Sequence, residues 1–285
     1  MMTYTLPDFT VLLGLNLFFV QLLERRPALF QDGVRIGSVY GSFPGCVLNG
    51  GRAYLRERTS PAQMEETFSL LAAHGVKPRL TLTNMLATED DLHDGYLNEM
   101  LAAAARHGGE AIVYADFVAD YVRERYGLRC VLSTTRPLAD AAEVNRMTKR
   151  YDYVVLDYNR HKDSAFLAAI EDCGKAEVMV NEFCQRGCPH RQEHYLHNSE
   201  DQRAGALRPF ECVAKRPAFF DHAPGHPVIF TDQEVRALRD AHGIENFKIV
   251  GRGVPFPTVL EAYAYYLVRP EYREDVKRLV MRSTG

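Results

Sequence analysis

The sequence predicts an α/β protein built on a single (β/α)8 barrel of the TIM type. From residue 34 onward, short apolar runs alternate with segments whose apolar residues recur at helical spacing. The runs are apolar throughout, which is typical of parallel strands buried on both faces. There are eight such runs, the number that closes this kind of barrel. An open, doubly wound sheet is the alternative, but no G-x-G-x-x-G turn follows the first run.

The residues before the first run, 1–33, are expected to form an N-terminal helical segment. Their most apolar stretch, Phe9–Leu23, is shorter than the roughly 20 residues that cross a bilayer, and Asn16 and Gln21 interrupt it. No basic residue precedes the stretch, so a secretory signal is not predicted either. We expect a buried helix and no contact with a membrane.

Strands and helices then alternate to the end of the chain. Ser60-Pro61 is typical of a helix start, with serine at the cap and proline in the first turn. The expected strands are Val34–Tyr40, Arg79–Thr83, Ala111–Ala115, Cys130–Ser133, Tyr153–Asp157, Glu177–Asn181, Val228–Phe230 and Phe247–Val250. The expected helices are Pro61–His74, Glu89–His107, Phe117–Tyr126, Leu138–Arg150, Ser164–Glu171 and Asp232–His242, with closing helices within Leu260–Val280.

Residues 182–227 break this alternation after the sixth expected strand. They show no clear apolar period, and they contain three of the six cysteines. A loop of this length in a compact domain is usually functional or disordered. Because it follows a strand, we expect it at the carboxyl-terminal face, where barrel active sites assemble. The chain is interpreted as one barrel domain, 1–285, in which 182–227 is a metal-binding loop.

Composition narrows the class of protein further. The 285 residues include 34 Lys+Arg and 37 Asp+Glu, for a formal net charge of −3. A near-neutral chain without a basic block argues against a nucleic-acid partner and is compatible with a small-molecule substrate. Six cysteines are too few for a disulfide scaffold, so a reducing, cytoplasmic location is expected. The sequence leaves open whether the chain forms a homo-oligomer or a hetero-oligomer.

The cysteines of the long loop are candidate metal ligands. Cys184 and Cys188 are four positions apart across a Gly-Cys-Pro turn, and Cys212 follows in the same loop. Soft thiolates suit zinc or an iron–sulfur cluster. The alternative is that these cysteines pack as small apolar side chains. The candidates for the remaining ligand are Cys46, His190 and His194.

Polar residues at the expected strand ends supply the candidate catalytic groups. Glu182 could donate or accept a proton, and Arg252 could bind a carboxylate with both arms of its guanidinium. Lys248 could hold an anionic substrate, or it could form an ion pair inside the barrel with Glu182 or Asp157. The expected catalytic residues are Glu182, Arg252, Lys248 and Asp157, and the expected substrate-binding residues are Tyr40, Asn84, Asn159 and Arg52.

The segment from Thr231 to Arg252 resembles the collagenase-like peptidase family of unknown catalytic type. The resemblance lies in Thr231-Asp232-Gln233-Glu234, in the Gly243-Ile244 turn and in Lys248-Ile249-Val250-Gly251-Arg252, and it extends loosely over residues 151–273. Relatives in that family include anaerobic ubiquinone-hydroxylation and RNA-hydroxylation proteins. The resemblance implies a barrel core and a [4Fe–4S] cluster bound by Cys184, Cys188 and Cys212. Either Cys46 is the fourth ligand, or the cluster differs from that of the family.

This chain departs from the family pattern at three points. Val250 stands where the family has a glutamate, the Cys184–Cys188 spacing is narrower, and no cysteine follows Cys212. No Ser/His/Asp or Cys/His arrangement stands out, so peptidase activity is not inferred. The expected function is an iron–sulfur barrel enzyme that modifies a small polar or anionic substrate, by oxygen-independent hydroxylation or related redox chemistry. The alternatives are a zinc-stabilised hydrolase and a non-catalytic, metal-binding accessory subunit.

Overall fold

A closed barrel of eight parallel strands forms the centre of the molecule, as predicted. The computed structural model describes residues 1–51, 57–212 and 220–283. Each strand pairs with its neighbour in chain order, and the first strand closes the barrel on the last through Tyr4 and Phe247. The strands are Met2–Pro7 (β1), Val34–Gly41 (β2), Lys77–Leu82 (β3), Glu110–Val113 (β4), Arg129–Leu132 (β5), Tyr153–Val155 (β6), Ala176–Met179 (β7) and Asn246–Lys248 (β8).

Seven of the eight expected strands are strands of the barrel, one is not, and one barrel strand was not expected. The chain enters the barrel at Met2–Pro7, within the segment expected to be helical, because this stretch alternates buried Met2, Tyr4 and Leu6 with two threonines. Val228–Phe230 is not a barrel strand, since Ile229 forms only an isolated antiparallel bridge with Asn181 at the end of β7. The cysteine-bearing loop therefore follows the seventh strand and not the sixth.

Helices surround the barrel, and their ends follow the cap signals in the sequence. Ser60 and Thr231 each form a capping box with the residue three positions later. The helices are Leu13–Arg25 (α1), Pro61–Ala72 (α2), Gly95–Arg106 (α3), Asp116–Tyr126 (α4), Ala141–Thr148 (α5), Ser164–Ala168 (α6), Arg191–Ala204 (α7), Asp232–His242 (α8), Phe256–Leu267 (α9) and Arg273–Ser283 (α10). Within the described ranges, no helix is long and apolar enough to span a membrane.

Helix α7 lies inside the region 182–227 that showed no apolar period. Its only buried residues are Ser199 and Asp201, so it has no apolar stripe for the sequence pattern to reveal. Polar bonds tie it to the barrel instead: Asn84 donates to the Ser199 carbonyl at 3.3 Å, and the Ser199 hydroxyl accepts from the Met85 amide at 3.0 Å. Helix α7 thereby becomes part of the carboxyl-terminal face.

Helix α1 is buried against α9, as expected for the apolar N-terminal segment. Its polar residue Asn16 is fully buried and fully used: Nδ2 donates to the Pro7 carbonyl at 3.0 Å, and Oδ1 accepts from the Tyr263 hydroxyl at 2.6 Å. The Phe19 and Tyr263 rings meet edge to face at 5.2 Å. A buried polar group is costly only when it is unpaired. The hydrogen bonds of Asn16 offset that cost and connect α1 to β1 and α9.

Candidate active site

Charged side chains fill the barrel interior below its carboxyl-terminal face. Arg79 on β3 donates to Glu177 on β7 at 2.5 Å and to Glu110 on β4 at 2.8 Å. The Thr5 hydroxyl on β1 donates to the same Glu177 oxygen at 3.2 Å. All four residues are buried, and buried charges are tolerated only when they are paired. The network therefore links strands on opposite sides of the barrel.

Lys248 on β8 is the cation of this interior that has the weakest pairing. Its Nζ is 3.9 Å from Glu177 Oε1 and 4.1 Å from the centre of the Tyr40 ring. No atom of the described residues is hydrogen-bonded to Nζ. Burial lowers the pKa of Lys248 to about 7, Arg79 and Arg252 push it the same way, and Glu177 opposes them. The amine is therefore poised between its charged and neutral forms near neutral pH.

A cavity of about 70 Å³ opens over Lys248 at the carboxyl ends of the strands. We call it the mouth cavity. Thr81, Thr134 and Thr135 line it, and their hydroxyls are buried and have no hydrogen-bond partner within the described part of the chain. Buried polar atoms are nearly always satisfied, so a water or a polar ligand group is the expected partner of these hydroxyls. The residues that line the mouth cavity include Tyr40, Thr81, Thr135, Glu182, Lys248 and Arg252.

Arg252 forms one wall of the mouth cavity. Its Nη1 donates to Ser42 Oγ at 3.2 Å, and its guanidinium carbon is 5.3 Å from the centre of the Tyr40 ring. The Tyr40 hydroxyl donates to the Ile249 carbonyl at 3.2 Å, which fixes the ring between the two cations. Lys248 and Arg252 thus give the cavity a positive side that suits an anionic ligand.

Glu182 lies at the edge of the mouth cavity, but its oxygens are engaged. Oε1 accepts from the amides of Phe183 at 2.9 Å and Cys184 at 3.0 Å, and Oε2 accepts from Arg191 at 2.8 Å. Arg191 also packs on the Tyr158 ring, 3.9 Å from its centre. Through these bonds Glu182 holds the start of the cysteine loop.

Two of the expected metal ligands lie together. Burial raises the pKa of Cys184, and Cys188 lies near enough to act on it electrostatically. Cys46 is completely buried, which raises the pKa of its thiol to about 12, and Cys212 is exposed. Among the described residues, no three His, Cys, Asp or Glu side chains are placed to hold a metal ion. A [4Fe–4S] cluster needs four ligands, and among the described residues two of the expected thiols are brought together.

The other expected site residues organise loops. Asp157 accepts from the Asn159 amide at 2.7 Å, and Asn159 in turn accepts from the Gly187 amide at 2.7 Å, in the cysteine loop. Asn84 is buried and donates to the carbonyls of Val47 and Asn49 in the loop after β2 and of Ser199 in α7. Arg52 lies outside the described residues.

The structure therefore divides the expected site into two groups. Four of the expected residues line the mouth cavity: Tyr40, Glu182, Lys248 and Arg252. Asp157 and Asn159 lie beside the cysteine loop. Neither Asp157 nor Glu182 forms the ion pair with Lys248 that was considered as an alternative to substrate binding. The partner is Glu177, because β7 and β8 are adjacent strands and both side chains enter the barrel.

Sequence reasoning missed the interior network and a buried histidine. Arg79 and Glu177 are charged residues within otherwise apolar strands, and that contrast was the available signal. His161 is completely buried, its ring meets Phe230 at 4.7 Å, and neither ring nitrogen has a hydrogen-bond partner among the described residues. Burial lowers the pKa of His161 to about 3. A single histidine in a turn gave no sequence signal.

The fold and the mouth cavity define a (β/α)8 barrel of the type found in many enzymes. No protein-family model and no curated protein matches the sequence. Among solved structures, a U32 peptidase is similar with a TM-score of 0.54 and 14% identity, over 90% of this chain and 94% of that one. At this identity the likeness shows the fold alone.

Two other solved structures are more distant. A D-psicose 3-epimerase crystallised with D-fructose has a TM-score of 0.42 and 12% identity, over 99% of this chain and 98% of that one. An uncharacterised B. cereus protein has a TM-score of 0.40 and 11% identity, over 90% of this chain and 62% of that one.

Proposed function

We propose that this protein is an enzyme that acts on a small anionic molecule in the mouth cavity. One observation carries the proposal: buried Lys248 and half-buried Arg252 line the same cavity as three threonines whose buried hydroxyls have no partner among the described residues. The cavity is at the carboxyl end of the barrel, where the active sites of such barrels are found. Its cationic residues can bind the anionic group of a ligand, and its threonines can hydrogen-bond a second, polar group of the same ligand.

Each side chain has a task that follows from its contacts. Arg252 is positioned by Ser42 and by the Tyr40 ring, and a guanidinium at this wall of the cavity is suited to a carboxylate or phosphate. Lys248 can give up or accept a proton near neutral pH, since burial brings its pKa to about 7. The hydroxyls of Thr81 and Thr135 can orient a polar group of the substrate.

A ligand screen tests the proposal. Thermal unfolding is followed with inorganic phosphate, acetate, malonate, glyoxylate and pyruvate, and at least one anion should raise the midpoint. Arg252→Met should weaken that binding by at least about tenfold, because a charge-assisted pair is lost. Arg35→Met, at an exposed position of β2, is the matched control and should bind as the unmodified chain does. Equal binding by Arg252→Met would refute the proposal.

A second candidate function places a metal beside this cavity, as the resemblance to the collagenase-like peptidase family suggests. Cys184 lines a small cavity that shares Glu182 and Arg252 with the mouth cavity, and Cys188 lies near it. An iron–sulfur cluster there would supply electrons for redox chemistry such as oxygen-independent hydroxylation, whereas zinc would stabilise the loop. Among the described residues, two of the four expected thiols are brought together.

Metal analysis after anaerobic purification tests this second candidate. Iron with acid-labile sulfide and visible absorption supports a cluster, and about one zinc per chain supports a structural ion. Cys184→Ala combined with Cys188→Ala should abolish binding, while Cys130→Ala, at a buried cysteine of β5, should retain it. Unchanged metal content in the double variant would exclude these thiols as ligands.

A further inference from the structure

Lys248 has surroundings that differ from those of an ordinary buried ion pair. The nearest carboxylate oxygen, Glu177 Oε1, is 3.9 Å away, beyond hydrogen-bonding distance. The other oxygen of Glu177 is already engaged by Arg79 at 2.5 Å and by Thr5 at 3.2 Å. Glu177 is therefore shared between two cations, and its short, hydrogen-bonded ion pair is the one with Arg79.

The groups that face Lys248 come from several strands. Arg79 on β3 and Arg252 beyond β8 are cations, Tyr40 on β2 contributes its ring, and Glu177 on β7 is the acidic group that acts on it. Two cations and burial favour the neutral amine, and one shared carboxylate opposes them. A neutral amine has a free lone pair and is a nucleophile.

The amine is also accessible to a ligand. Lys248 lies on the mouth cavity with Arg252 and the Thr81 and Thr135 hydroxyls. A small molecule held there by its anionic group would have its remaining atoms close to the lysine. The hydroxyls without partners are suited to a carbonyl oxygen, because each can donate a hydrogen bond.

We propose that Lys248 is a catalytic nucleophile that forms an imine with a small anionic aldehyde or ketone. This inference rests on the proposed function of the mouth cavity and narrows its substrate to carbonyl compounds. Nζ attacks the carbonyl carbon, a C–N bond forms, and one amine proton moves to the oxygen to give a carbinolamine. The C–O bond then breaks, and the hydroxyl leaves as water with the second amine proton. Nothing is oxidised or reduced in this condensation.

Reductive trapping tests the proposal on the full chain. Glyoxylate or pyruvate is added at pH 7.5 with sodium cyanoborohydride, which reduces an imine to a stable secondary amine, and peptide mass spectrometry locates the adduct. Lys248 should be labelled at least about tenfold faster than Lys149, because an exposed lysine is almost entirely protonated at this pH. Lys149, whose side chain is 74% exposed, is the internal comparator. Labelling of Lys248 no faster than of Lys149 would overturn the proposal.

Two variants connect the trapping to the mouth cavity. Lys248→Arg keeps the positive charge but cannot form an imine, so the adduct at this position should disappear while circular dichroism stays unchanged. Arg252→Met should slow trapping by glyoxylate more than trapping by uncharged formaldehyde, because both reactions lose a cation that favours the neutral amine but only glyoxylate also loses its charge partner. Trapping by formaldehyde alone would overturn the anionic part of this proposal and the proposed function. Anion binding that depends on Arg252, without any trapping, would overturn only the imine.

Discussion

Glu177 is the residue on which the interior network depends. Its carboxylate accepts from Arg79 and Thr5 and is the acidic neighbour of Lys248, and its side chain is 1% exposed. A buried cation whose partner is removed keeps its desolvation cost without compensation. The same carboxylate therefore supports both the stability of the barrel and the protonation state of Lys248.

Glu177→Gln should lower the free energy of unfolding by about 3 to 5 kcal/mol, because Arg79 loses its shorter ion pair in a buried site. Denaturant unfolding monitored by circular dichroism measures the change. Glu143→Gln removes a carboxylate that pairs with largely exposed Arg146 at 3.6 Å, and it should change stability by less than about 1 kcal/mol. Similar losses in the two variants would contradict the role given to Glu177.

His161 contributes to the destabilisation of the fold by acid. Its pKa is about 3 in the folded protein and about 6.5 in an unfolded chain, so between these values the unfolded state binds the extra proton. Stability should therefore fall as pH drops below about 6.5, by up to about 1.4 kcal/mol per pH unit from this group. His161→Phe should flatten that slope, while His93→Gln, at an exposed histidine, should not. Parallel pH profiles for unmodified chain and His161→Phe, measured by urea unfolding, would refute the assignment.

At the scale of elements, one buried ion pair joins the two ends of the cysteine loop. Arg191 is the first residue of α7, and it joins Glu182, which follows β7, across the loop that holds Cys184 and Cys188. Both side chains of the pair are about 10% exposed. A helix and a strand end are thus connected around the two thiols.

Arg191→Met should release this loop and leave the barrel intact. Amide hydrogen exchange of residues 183–190 should accelerate by at least about tenfold, because the partner of Glu182 and the stacking on Tyr158 are both lost. Arg186→Met, in the same loop but exposed, is the control and should leave exchange nearly unchanged. No acceleration in Arg191→Met would show that the loop is held by other contacts.

The sequence predicted elements best where periodicity and caps agreed. Helix α2 begins at Pro61 behind its Ser60 cap, as expected. Strand β1 was missed because a longer apolar helix follows it within a few residues and dominated the interpretation. Val228–Phe230 was taken for a strand because a short buried run looks the same whether or not it joins a ladder. Helix α7 could not be recognised from apolar periodicity, because its buried residues, Ser199 and Asp201, are polar.

For the whole molecule, the closed barrel was predicted from the number of strands and their alternation with helices. The full set of residues that line the mouth cavity was identified only from their positions in the folded chain. Strand ends pointed to Tyr40, Lys248 and Arg252, because side chains at the ends of parallel strands converge. The pairing of Lys248 with Glu177 depends on the register between β7 and β8, which a single sequence does not specify. The assignment of four cysteines to one cluster stays a prediction.

The central claim is that the mouth cavity is an active site for a small anion, and a crystal structure with bound pyruvate or glyoxylate tests it most directly. We expect the carboxylate to bind Arg252 and the carbonyl carbon to lie against Lys248 Nζ, with the Thr81 or Thr135 hydroxyl as hydrogen-bond partner of the ligand. A cavity filled only by ordered water that satisfies these hydroxyls, with the anion bound elsewhere, would contradict the account.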